Sequence, residues 1–286
     1  MNLKINLDLY IMAFERIEFI EEAILSALKQ ATKNQKIKIN LIISDNSISN
    51  TVEFFIKKKF PELQYIRRYG LNVIEHHNTI IKESSSDYLI MFHDDDVMKS
   101  NFIESGINVL ERDKNLSAYA CNAYIINRSS KTKKKLVNIS HDLIINDYMS
   151  LLDKYFLRGS IGHPPFSSYI YRNRFVRFDV MNFEVIGIHS DLALLISLVN
   201  QGNIYWSADC LINYRLHHNN QIFKIRERVK IINYLRLQFN IEKNSNLILN
   251  YRKSYLIQYL KKFFSLYRIK RIFVICLIIL LKHEKS

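Results

Sequence analysis

A short apolar run that leads straight into three aspartates constrains this chain more than any other stretch. In Asp87-Tyr-Leu-Ile-Met-Phe-His-Asp-Asp-Asp-Val-Met98, residues 88–92 are apolar strand formers with polar residues before them and charge after them. Such a run reads as a buried parallel strand. Asp94, Asp95 and Asp96 then sit where the strand ends. Adjacent carboxylates repel one another, so a fold that keeps three together is expected to supply a compensating cation. A hard divalent ion, Mg2+ or Mn2+, suits oxygen ligands and is commonly shared with substrate phosphates. Open α/β sheets bind ligands beyond the carboxyl ends of their strands, where these aspartates fall. The competing reading is a solvated acidic turn that caps a helix starting near Ser100 or Asn101.

The chain on either side alternates strand and helix. Ile5, Leu7, Leu9 and Ile11 alternate with polar neighbours at strand period, and Met12-Ala-Phe-Glu-Arg16 turns into a helix with its apolar face at Ile17, Ile20, Ala23, Ile24, Ala27 and Leu28. A strand over 37–43, a helix over 52–59, a strand near 63–66 and a helix over 73–82 lead to the aspartate strand. This order predicts an α/β fold, a mainly parallel sheet flanked by helices. Farther on, the pattern predicts a helix over 102–110, a strand over 117–127 and a solvated loop at the basic run 131–135. It then predicts a helix over 143–157, a loop over 159–165, a strand over 166–171 and a helix from His189 that stops at Gly202. Two short strands, 203–205 and 210–216, complete the body. His76 and His77 fall on a predicted helix and cannot both face one ligand.

Charge divides the chain unevenly. Residues 222–286 hold 15 Lys or Arg against 3 Glu, whereas residues 1–221 hold 26 basic against 24 acidic residues. The tail reads as a helical basic C-terminal extension able to address an anionic surface. Its apolar run Ile272–Leu281 is shorter than the about 20 residues that a bilayer span needs. Flanked by Lys and Arg, it fits an interfacial anchor, with a terminal helix packed on the body as the alternative. Cys121, Cys210 and Cys276 are too scattered for a disulfide framework or a zinc ribbon. The first apolar stretch is broken by Lys4, Asn6 and Asp8 and does not read as a signal peptide. No G-x-G, G-x-S-x-G or H-E-x-x-H occurs, which excludes dinucleotide-fingerprint, P-loop, nucleophile-elbow and zincin chemistry.

Taken together, Met12-Ala-Phe-Glu-Arg16 with Ser26 and Gln30, Asp45-Asn46-Ser47, Asn78, Asp94-Asp95-Asp96, His189-Ser190-Asp191 and Tyr214-Arg215-Leu216-His217 resemble, in order, the motifs of the family 2 glycosyltransferases of GT-A fold. The resemblance covers roughly residues 3–221. It implies a GT-A domain over 1–221, with a nucleotide-binding half to about 115 and an acceptor half over 116–221. It implies an inverting, metal-dependent transfer of a sugar from a nucleotide-sugar donor, a UDP-sugar first, to a glycan or lipid-linked acceptor, as in bacterial surface-polysaccharide assembly. It assigns Ala13, Phe14, Arg16, Asp45, Asn46, Asn78, Asp94 and Asp95 to the donor, Asp94, Asp96 and His217 to Mn2+ or Mg2+, and Asp191 to the catalytic base. With the basic tail, it implies a cytoplasmic enzyme held peripherally on the inner membrane face. Two other classes are weighed beside it. A catalytically inactive scaffold of the same fold would not need three intact aspartates. A nucleic-acid binder would need more than a basic tail on a nearly neutral body, so no nucleic-acid partner is expected.

Overall fold

In the computed structural model of the protein, the described residues are 4–31, 36–156, 162–176, 181–216, 225–242, 245–253, 256 and 260. Their elements run β1 (Ile5–Ala13), α1 (Ile17–Ala31), β2 (Ile37–Asp45), α2 (Thr51–Lys59), β3 (Gln64–Arg67), α3 (Val73–Glu83), β4 (Tyr88–His93), β5 (Val97–Met98) and α4 (Phe102–Arg112). Then follow β6 (Leu116–Ile126), β7 (Thr132–Lys135), β8 (Leu143–Ile145), α5 (Tyr148–Phe156), β9 (Tyr169–Arg172), α6 (Phe183–Ile186), α7 (Ser190–Val199), β10 (Asn203–Arg215) and α8 (Ile225–Phe239).

The main path of the sheet is β3-β2-β1-β4-β9-β6-β10-β5. The four strands β3, β2, β1 and β4 are all parallel. β9 joins antiparallel to both β4 and β6, and β10 runs parallel to β6. The carboxyl ends of β1, β2, β4, β6 and β10 therefore meet along one edge.

Side-chain alternation builds a core on each face. Tyr10 and Met12 of β1 and Leu89 and Met91 of β4 join one cluster with α5 and α7. Leu9 and Ile11, with Ile90 and Phe92, face the other cluster beneath α1 and α4. Gly106 lets α4 lie close to the sheet, since a Cβ there would stand 2.5 Å from Ile170 Cδ1. Ile231, Leu235, Ile248 and Tyr251, all beyond residue 221, belong to the α7 cluster.

Several sequence expectations change beyond residue 116. The lysine run expected as a loop contains β7, which pairs antiparallel with β6, and exposed lysines on an edge strand discourage further pairing. The helix expected over 143–157 is a strand, β8, followed by the shorter α5. Phe166–Ser168 is a 3-10 turn, and only Tyr169–Arg172 is strand. The two strands expected after Gly202 are one, β10, whose register with β6 shifts between Ser207 and Cys210; the polar residues of that bulge imitate a break. The run Ile272–Leu281 lies outside the described residues.

Candidate active site

The turn after β1 and the end of β4 are locked together by charge. Asp94 Oδ2 accepts the Phe14 amide at 2.9 Å. Arg16 divides its guanidinium, with Nη2 3.0 Å from Asp94 Oδ1 and Nη1 2.6 Å from Asp95 Oδ2. Glu15 holds the turn at φ +58, and its carboxylate accepts the Ile48 and Ser49 amides at 2.7 and 2.8 Å. One non-glycine residue in the left-handed region thus joins the β1 turn to the loop after β2.

That loop carries the second site feature. Asp45, fully buried, accepts the Ser47 amide at 2.8 Å, the Tyr65 hydroxyl at 2.6 Å and Arg67 Nη1 at 3.1 Å. Arg67 Nη2 also donates to the carbonyls of Ser47 and Ser49, both at 2.8 Å. Asn46 is held by its amide on the Ala13 carbonyl at 3.2 Å and by its side chain on the Leu71 carbonyl at 3.0 Å. The edge of β1–β2–β3 is thus a rigid polar shelf. Ser26 and Gln30 of α1 act on a different segment. Ser26 Oγ accepts the Met98 amide at 3.1 Å, and Gln30 Oε1 accepts the Ile103 amide at 3.2 Å, which pins the segment just after the aspartates.

Among the described residues, His93, Asp95 and Asp96 offer ligand atoms that all lie within 4.8 Å of one another. Asp96 accepts the Ser167 hydroxyl at 2.5 Å and the Arg215 amide at 2.8 Å. The Arg215 side chain, 2% exposed, donates to the Asp95 carbonyl at 2.8 Å, the Asn127 carbonyl at 2.7 Å and Glu22 at 2.6 Å. Burial pushes the Asp94 carboxyl up to about 7 although Arg16 pulls it down. Burial, reinforced by the charge of Asp95, pushes Asp96 up as well. Burial also holds His93 below its ordinary value, so its ring is neutral at pH 7 and can act as a ligand. An imidazole and two carboxylates with more negative charge than their surroundings neutralise fit a hard or borderline divalent cation.

Asp191, in the first turn of α7, accepts the Tyr155 hydroxyl at 3.0 and 3.1 Å. His163 stacks on Tyr155 with ring centres 4.1 Å apart. Four residues later Ser167 donates to Asp96, and Phe166 between them stacks on His93 at 6.1 Å. Four residues of chain span at most about 14 Å, so one short segment ties the surroundings of Asp191 to the metal-type cluster.

The expected residues are thus distributed as follows. Ala13, Phe14, Arg16, Asp45, Asn46, Asp94 and Asp95 converge on one edge. Asn78 sits in α3 and donates to the Met181 carbonyl at 2.9 Å. Asp94 lies with Arg16 rather than in the three-residue cluster, and His217 lies outside the described residues. The reading from sequence passed over His93, Tyr65, Arg67 and Tyr155. His93 carried a signal, because it immediately precedes the aspartates. His76 and His77 are both buried and bind locally, to Ser44 Oγ at 2.7 Å and the Val73 carbonyl at 2.5 Å.

The sequence profile of the family described as "Glycosyl transferase family 2" matches residues 8–182. The chain belongs to this family. It is a glycosyltransferase, and its sheet with flanking helices is similar to the GT-A fold. No curated protein sequence matches it. Among solved structures, residues 1–349 of S. aureus TarS superpose with a TM-score of 0.63 at 9% identity, covering 94% of this chain and 76% of that one. The same TarS fragment in complex with UDP-GlcNAc gives a TM-score of 0.53 at 10% identity over 87% and 79% of the two chains. A further S. aureus TarS structure gives 0.58 at 12% identity, and this chain spans 44% of its length. At such identities the likeness concerns the fold alone.

Proposed function

We propose that this family 2 enzyme transfers a sugar, with inversion, from a nucleoside diphosphate sugar to a hydroxyl of a glycan or lipid-linked acceptor, using Mn2+ or Mg2+. A UDP-sugar is the first candidate donor, in keeping with the UDP-GlcNAc named for the TarS complex. The observation that carries the reading is the cluster of His93, Asp95 and Asp96 at the end of β4, beside the Arg16–Asp94 lock and the Asp45 shelf.

In this reading the shelf of Asp45 and Arg67 receives the base, and Asp94 lies toward the ribose. His93, Asp95 and Asp96 would hold the cation, which when bound supplies the Lewis acid for the departing diphosphate. Asp191 takes the proton of the attacking hydroxyl as the new bond forms. An acceptor of the surface-polysaccharide kind fits an enzyme held at the cytoplasmic membrane face. The excess of 15 Lys or Arg over 3 Glu beyond residue 221 supports that placement. No helix among the described residues is long and apolar enough to cross a membrane.

A panel of UDP-, GDP- and dTDP-sugars tests the donor with Mn2+ and with EDTA. One donor should raise the melting temperature and be hydrolysed only with the metal. Hydrolysis that is unchanged in EDTA overturns the cation; a panel with no stabilising member overturns the donor class. Co-sedimentation with anionic vesicles, lost at high salt, tests the placement.

A further inference from the structure

The hydrogen bonds leading to Asp191 run one way, and they begin beyond the matched family region. Tyr155 has a single phenolic hydrogen, and that hydrogen is taken by Asp191, whose two oxygens lie 3.0 and 3.1 Å away. His189 Nδ1, 3.3 Å from the same phenol oxygen, must therefore be the donor in that contact. For a neutral ring this tautomer leaves Nε2 as an acceptor, and the Tyr251 hydroxyl is 2.8 Å from it. With a neutral ring the order is Tyr251 to His189 to Tyr155 to Asp191.

The surroundings fix each member. His189 and Tyr251 are 3% and 5% exposed. Phe156 packs on Tyr251 with ring centres 4.4 Å apart, and His163 stacks on Tyr155 at 4.1 Å. None of these rings can turn without losing packing. Tyr251 lies in a helical stretch, 246–253, 62 residues away from His189 in sequence. Donors aligned in series in a low-dielectric interior strengthen one another.

We propose that Tyr251 and His189 are positioning residues for Asp191, so that the region beyond residue 221 completes the active site. This rests on Asp191 being the base. No proton travels the chain; each group keeps its hydrogen and points it forward, which holds the carboxylate in one orientation for the acceptor hydroxyl, or for water in donor hydrolysis.

The test uses the full chain, Mn2+ and whichever nucleotide sugar of the panel is hydrolysed fastest. Tyr155→Phe should lower kcat on the order of tenfold and Tyr251→Phe about threefold, each leaving donor KM unchanged. The double variant should be no slower than Tyr155→Phe alone, because the link is already cut. Multiplying effects would mean two separate packing defects and would overturn the proposal. Nitrogen-15 spectra of the histidine rings supply a readout independent of turnover, with His189 assigned by its loss in His189→Asn. A protonated Nδ1 and bare Nε2 are expected; the opposite tautomer reverses the chain and rejects it. If Asp191→Asn keeps full turnover, the base assignment falls and this proposal with it. If Asp191→Asn is inactive while both phenylalanine variants keep wild-type kcat, only the positioning role falls. Should Tyr251→Phe fail to fold, Tyr155→Phe and the His189 tautomer still decide.

Discussion

Asp96 is fastened by a serine hydroxyl and the backbone of a buried arginine next to another aspartate, whereas Asp191 is fastened by a phenol backed by an imidazole. The first arrangement concentrates negative charge where water is excluded, and burial raises the affinity of Asp94 and Asp96 for protons. Such a centre is costly as it stands and becomes favourable once a cation neutralises it. The second gives Asp191 a phenolic hydrogen-bond donor, which orients the carboxylate. On the proposed function the two centres would divide two tasks: holding a cation with the donor's diphosphate, and taking up a proton from the acceptor.

The largest effect should come from breaking the first centre. Asp96→Ala is expected to lower transfer by ~10³-fold or more, and to abolish stabilisation by nucleotide with Mn2+, read by calorimetry. Retained metal-dependent binding in that variant would remove Asp96 from the cation site. Next comes the second centre, where Asp191→Asn should cost ~10²-fold or more in kcat, with donor affinity nearly unchanged. A collapse of donor affinity together with folding would make Asp191 a structural residue and erase the contrast.

A smaller, purely energetic effect is expected from Arg215→Met. That change leaves the Asp95 and Asn127 carbonyls without their buried donor and should lower unfolding stability by about 3 kcal/mol, measured in urea. Smallest is the pH effect. Asp94 has a folded value of about 7 against an ordinary 3.8, so the folded state binds more protons than the unfolded one between these values. The metal-free protein therefore loses stability as pH rises through that window. Asp96, a proposed ligand, is raised by burial in the same direction, and Mn2+ competes with its proton, so the metal's shift of melting temperature should grow between pH 5 and pH 8 by on the order of a few °C. A shift independent of pH would count against the raised carboxyls as its origin.

What could be read from sequence follows the same division. β1 to β4 form consecutive strand–helix units, whose periods of two and 3.6 announce themselves locally, and the aspartates follow directly on the last of these strands. The part from β6 onward depends on distant pairings. The three residues of β8 are too few to show a period, and β10 carries a bulge at Ser207–Cys210 that looks like a turn. Tyr155 and Arg215 gain their meaning only from partners 36 and 120 residues away. No local pattern encodes such contacts.

Arg215 has one more consequence, for the order in which the molecule can be made. It is the last residue of β10, the last strand among the described residues, and its amide reaches back 119 residues to Asp96. While the chain is being synthesised, the four parallel strands can pair long before β10 has left the ribosome. Asp96 then waits without that amide, and the side-chain donor of the Asp95 carbonyl is missing too. Contacts so far apart in sequence form late and slowly. A nascent or truncated chain that stops short of β10 would thus own the four parallel strands and the aspartates but not the finished pocket.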